Sequence, residues 1–93
     1  MRVISSRTLV EFAVRHPEAS VPLQMWRTTI GAGSFANFAT LRQAVNATDR
    51  VGDFYVSDIG GNKFRLVAAA HFNVQKLNVR HVLTHKEYDK WKP

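Results

Sequence analysis

The 93-residue sequence predicts a small α+β domain, with N-terminal helices packed on an antiparallel sheet and a short helix at the C-terminal end. Three observations lead there. In the first half, Leu9, Phe12, Ala13 and His16 recur at helical spacing, as do Leu23, Trp26 and Ile30. From Lys63 to Thr84 the pattern changes to period two, the mark of strands with two unlike faces. Thr84 is followed three residues later by Glu87, a capping box, so a helix starts at His85.

Taken in order, Arg2 to Ile4 is short and apolar enough for an edge strand. Ser5, Ser6 or Thr8 can cap the first helix, which Pro17 ends. A second helix begins near Ser20 with Pro22 in its first turn, and Gly31 and Gly33 end it. Asn37 caps a third, shorter helix through Phe38, Leu41 and Val45. Asn46 to Arg50 reads as a polar turn, Val51 to Ile59 as one strand, and Gly60-Gly61 as the turn that reverses it. The length suits one domain spanning 1–93, with no repeat, linker or low-complexity tract.

The hairpin that follows carries the chemistry. A tight turn through Asn73 to Lys76 pairs Phe72 with Leu77, Ala70 with Val79 and Leu66 with Leu83. One face is then a continuous apolar row that includes His81. The other carries Arg65, across from Thr84, and Arg80 further along. The start of the C-terminal helix, with its free N–H groups and positive dipole end, lies beside those guanidinium groups and makes an anion site with them. His85 and Tyr88, three apart, share one side of its first turn. An imidazole, a phenol and phosphate-binding arginines suggest phosphodiester chemistry. On a polar sheet face, truncating Arg65 or Arg80 is expected to cost within about ±0.5 kcal/mol.

The net charge of +6 favours a polyanionic partner, most often nucleic acid, because the arginines alternate with core residues instead of forming a tail. The plainer reading is a basic domain with a solvated surface. With no cysteine there is neither a disulfide framework nor a thiolate nucleophile, which fits a reducing cytoplasm. The opening MRVISSRTLVEF lacks the long apolar segment of a signal peptide, and no run approaches membrane-spanning length. His81-x-x-x-His85 has a metal-site spacing, but His81 belongs to a strand and His85 to a helix, so no metal site is expected. Glu87 is a cap before it is a base, and Asp89 can pair with His85 or steady the last turn. Trp26 and Phe38 read as core, and Trp91 as either core or a base-stacking platform. Lys63, Lys86 and Lys90 cluster with Arg80 as binders of RNA phosphates.

Together, in this order, GGNKFRL, the Val79-Arg80 strand and THKEYDKW make IGGNKFRLVAAAHFNVQKLNVRHVLTHKEYDKW resemble the C-terminal half of the HigB toxins, a branch of the RelE superfamily of bacterial toxin–antitoxin systems. MRVISSRTLVEFAVRHPEA is similar to the start of that family, and the length agrees. The resemblance implies a RelE-like fold, ribosome-dependent cleavage of messenger RNA in the A site, a cytoplasmic setting and a helix-turn-helix antitoxin of the HigA type. It also implies that Arg65 binds the scissile phosphate from the central strand, and that His85, Lys86 and Tyr88 form the C-terminal catalytic motif. RelE itself has lysines on the strand before GGN, where this chain has Val56 and Asp58. That departure shifts weight onto His85 and Tyr88, with Lys63 as a partial substitute.

The expected reaction is therefore attack by the RNA 2′-hydroxyl on the adjacent phosphate. It needs no metal, no cofactor and no protein nucleophile. Arg65 and Arg80 neutralise the phosphorane, while His85 and Tyr88 share the general acid and base roles in an order left open. The alternatives are a basic RNA- or ribosome-binding module without catalysis, and a toxin scaffold that serves only as a partner for a DNA-binding antitoxin.

Overall fold

In the computed structural model, which describes residues 1–4 and 6–93, the helices and the sheet form two layers around one core. The first helix, α1 (Ser6–Arg15), stops before Pro17. Thr8 lies within it, and the expected cap at Ser5 falls outside the described residues. Next, α2 (Ser20–Ala32) buries Leu23, Trp26 and Ile30, the face its spacing predicted. It ends at Gly33 in extended backbone, where a Cβ would collide with the Phe35 ring. A capping box between Asn37 and Thr40 opens α3 (Phe38–Ala44).

The sheet has five strands in the order β1-β5-β4-β3-β2. They are β1 (Arg2–Ile4), β2 (Thr48–Val51), β3 (Phe54–Ile59), β4 (Phe64–His71) and β5 (Lys76–Thr84). The meander β2 to β5 is antiparallel, as expected. The edge strand β1 joins β5 in parallel, so the sheet as a whole is mixed. Phe12, Leu23, Trp26, Ile30 and Leu41 of the helices pack against Ile59, Phe64, Leu66, Ala68, Leu77, Val79 and Val82 of the sheet. Phe12 and Phe64 meet edge to face at 5.3 Å between centroids, and His16 stacks on Phe12 at 4.5 Å. Burial of each such side chain is worth about 1.5–3 kcal/mol.

Two expectations are corrected. Val51 to Ile59 is not one strand: Gly52, at φ 60°, turns the chain, and Val51 pairs with Phe54 across a two-residue hairpin loop. Of the expected polar turn, Asn46 and Ala47 do form a turn, but Thr48 to Arg50 belong to β2, and Thr48 is buried there, its hydroxyl 2.9 Å from that of Ser57.

The register of the β4–β5 hairpin is the second correction. Ala70 pairs with Leu77, Leu66 with Val82, and Arg65 with Leu83. The chain leaves β4 after His71 in a 3-10 turn over Phe72–Val74 and returns through Gln75, at φ 53°. The Gln75 side chain holds the turn: its amide oxygen accepts from the Phe35 N–H at 3.0 Å and its amide nitrogen donates to the Phe72 carbonyl at 2.7 Å. That shift of two residues leaves the faces near the turn unchanged. Farther along, Val67 pairs with His81 and Ala68 with Val79, so Arg80 is an extra residue in a bulge. Past it the alternation of β5 inverts. Val82 is buried in the core, while His81, expected on the apolar face, is exposed and lies across from Val67 on the opposite face.

The last helix, α4 (His85–Lys90), leads into Trp91, whose ring meets Phe54 at 5.7 Å and His81 at 6.3 Å. These contacts lie on the sheet face away from the other three helices, where Val56 and Val67 are buried outside the main core. No helix among the described residues is long and apolar enough to cross a membrane.

Candidate active site

Arg65 stands on β4 between two strands, on the face that carries Trp91. Its side chain is only 11% exposed. Nε lies 3.0 Å from Asp58 Oδ1, directly across on β3, and Nη1 donates to the carbonyls of Asn62 (3.0 Å) and Phe64 (3.3 Å). The guanidinium carbon sits 5.7 Å from the centre of the Tyr88 ring, within the range of a cation–π contact. Tyr88 in turn stacks on Trp91 at 5.7 Å with 22° between planes.

The capping box forms as the sequence predicts and sets where α4 begins. The Glu87 N–H donates to Thr84 Oγ1 at 3.1 Å, and the Thr84 N–H donates to Glu87 Oε1 at 2.9 Å. The bond from the Thr84 amide holds the Glu87 carboxyl below its usual range, helped by the charges of Arg15 and His16 against a small desolvation cost. The His85 N–H donates to the Lys63 carbonyl at 3.2 Å, which ties the start of α4 to the residue before β4. One turn on, Asp89 Oδ2 lies 3.5 Å from His85 Nδ1, the pairing left open in the sequence.

Of the expected site residues, the structure thus brings Arg65 and Tyr88 into contact. His85 opens the same helix, exposed and facing Asp89. Lys63, Arg80, Lys86 and Lys90 are exposed, and none of them enters an ion pair among the described residues. Arg80, expected further along the face of Arg65 in a regular strand, occupies the bulge instead.

Two features escaped the sequence reading. Asp58, noted only as a departure from a lysine, is the partner of Arg65. The loop length holds that signal: if Ile59 pairs with Phe64 around Gly60–Lys63, Asp58 must face Arg65. The aromatic group of Phe54, His81, Tyr88 and Trp91 was hidden by the bulge, which no local pattern announces.

A family model described as HigB_toxin, RelE-like toxic component of a toxin-antitoxin system, matches residues 19–91. Over 92 residues the chain is 34% identical to the mRNA interferase toxin HigB of Escherichia coli (strain K12), covering 96% of this chain and 88% of that protein. The mRNA interferase HigB of Shigella flexneri matches to the same extent. A second Escherichia coli mRNA interferase HigB, from an O6:H1 strain, is 30% identical over 93 residues, covering 97% of this chain and 90% of that protein.

Proposed function

The chain belongs to the HigB family of RelE-like toxins, and from that premise we propose that it is an endoribonuclease that cuts messenger RNA in the ribosomal A site. The observation that carries this reading is the largely buried Arg65 guanidinium lying over Tyr88 at 5.7 Å, at the foot of a helix that begins with His85.

In the proposed reaction the RNA 2′-oxygen attacks the adjacent phosphorus as its proton passes to a base. The bond from phosphorus to the 5′-oxygen breaks as an acid protonates that oxygen. The products are a 2′,3′-cyclic phosphate and a 5′-hydroxyl, and the protein needs neither a nucleophile of its own nor a metal. Arg65 meets the charge that builds on the phosphorane, where a fixed donor is worth most. His85 and Tyr88 share the proton transfers. Lys63, Arg80, Lys86 and Lys90, exposed and outside any ion pair among the described residues, neutralise RNA phosphates and supply the salt-dependent part of binding.

The partner that restrains this activity is a HigA-like helix-turn-helix antitoxin, which contributes an apolar and acidic segment. Two features support that chemistry. The chain carries a net charge of +6. Its helical layer also leaves Val10 and Val14 exposed in a groove of ≈ 410 Å³ between α1 and α2, with Arg27 in its lining. The site of action is the cytoplasm, where both the antitoxin and translating ribosomes are found.

Single-turnover cleavage on programmed ribosomes, with analysis of product ends, tests the reading. The expected result is a 2′,3′-cyclic phosphate and a 5′-hydroxyl. A 5′-phosphate product, or cleavage that requires divalent metal beyond the ribosome's own need, rules out this mechanism. Ribosome binding without cleavage leaves the non-catalytic binding module.

A further inference from the structure

Arg65 is held by one edge. A guanidinium offers five N–H donors. Nε lies 3.0 Å from Asp58 Oδ1 in an ion pair, and Nη1 donates to the carbonyls of Asn62 and Phe64. The pair on Nη2 makes no hydrogen bond among the described residues. The Asn62 carbonyl belongs to the loop between β3 and β4, the Phe64 carbonyl to the first residue of β4, and Asp58 is the cross-strand neighbour of Arg65. The same hairpin therefore supplies both the guanidinium and its ion-pair and hydrogen-bond partners. Asp58 is 39% exposed, so its carboxylate keeps contact with solvent while gripping a side chain that is 11% exposed.

We propose that Asp58 is the positioning residue of the site: it fixes the roll of the Arg65 guanidinium, which lies over Tyr88, so that the Nη2 edge is the one offered to the scissile phosphate. This rests on the reading of Arg65 as the phosphate contact. A free arginine samples many rotamers, and a phosphate must then order it during the reaction. An arginine fixed beforehand meets the developing charge without that reorganisation. The arrangement has an opposing effect. A carboxylate beside the phosphate subsite weakens the attraction of RNA in the ground state. Asp58 therefore favours the chemical step at the expense of binding, and removing it moves the two in opposite directions. A residue that merely supported the fold would lower both.

The test is single-turnover cleavage on programmed ribosomes at increasing toxin concentration, which separates the maximal rate from the half-saturating concentration. Asp58→Ala is expected to lower the maximal rate roughly 10- to 100-fold, the scale on which a displaced catalytic group costs rate. Its half-saturating concentration stays the same or falls. Asp58→Asn, which keeps an oxygen of the same reach beside Nε, stays within a few-fold of the parent rate. Arg65→Ala combined with Asp58→Ala is no slower than Arg65→Ala alone. Asp58→Leu keeps the shape without the acceptor and carries the test if the alanine variant unfolds on heating. A full maximal rate in Asp58→Ala or Asp58→Leu, a raised half-saturating concentration, or losses that multiply in the double variant overturns the assignment of Asp58. Undiminished cleavage by Arg65→Ala, with Asp58 intact, overturns the phosphate role of Arg65 itself and the positioning role with it.

Discussion

Arg65 shows how burial changes what a surface-looking residue is worth. On an open polar face its truncation would cost almost nothing. With Nε on Asp58 and Nη1 on two carbonyls, Arg65→Ala strands a carboxylate and two acceptors, and about 1–3 kcal/mol of stability is expected to go with them. A urea titration checks this, and Arg80→Ala, at the exposed bulge, serves as the contrast within about ±0.5 kcal/mol. In cleavage, Arg65→Ala should slow the maximal rate about 10²- to 10³-fold, the loss typical of one fixed oxyanion donor. Tyr88→Phe is the cleaner probe of chemistry, because it keeps the ring under Arg65 and against Trp91 and removes only the hydroxyl. Tyr88→Phe and His85→Ala are each expected to slow the chemical step about 10²- to 10⁴-fold and to spare ribosome binding. Full activity in the double variant would reassign the acid and base while leaving the nuclease intact.

The element on which the site depends most is α4. At six residues it is too short to persist alone, so its capping box and the anchoring of Trp91 decide whether it forms. Thr84→Ala should destabilise it by about 1 kcal/mol, seen as faster amide hydrogen exchange in α4 than in the sheet. Glu87 makes this pH-dependent. Its folded pKa is lowered, so its contribution is fully present above the ordinary carboxyl value of about 4.3 and is lost as pH falls through the lowered folded value. The same exchange measurement as pH falls below about 4.3 should show α4 loosening in the parent, and a flatter profile in Glu87→Gln. The other decisive element is the β5 bulge. One extra residue moves His81 from the apolar row to the aromatic face, where Trp91 closes over the sheet.

At the scale of the whole molecule the two faces of the sheet are unlike. One is covered by α1, α2 and α3 over the main core, and the other carries Arg65, the aromatic group and α4. The exposed Val10 and Val14 of α1 line the groove against α2, in the layer on the other face of the sheet, so they can be altered without touching Arg65. Val10→Asp and Val14→Asp are expected to weaken antitoxin binding at least tenfold, equivalent to about 1.4 kcal/mol, and to leave ribosomal cleavage unchanged. Calorimetry and the cleavage assay check the two halves of that statement. Added salt should weaken antitoxin binding as well, because the toxin's net charge is positive. Binding indifferent both to salt and to these substitutions would place the antitoxin elsewhere.

By itself the sequence determined what depends on near neighbours in the chain. The buried stripe of α2, the caps at Asn37 and Thr84 and the pairing of His85 with Asp89 all follow from spacings of three or four residues. So do the turn at Gly60-Gly61 and the presence of a hairpin after it. The motifs along that hairpin and helix were enough to place the chain in its family. Only the tertiary structure decided how the strands meet. The parallel docking of β1, the break at Gly52, the bulge at Arg80, the side His81 occupies and the union of Asp58 with Arg65 are all matters of register. Register is chosen by comparing whole pairings across the chain. In a two-residue repeat a single extra residue reverses every side chain beyond it, and nothing within the strand itself marks where that happens.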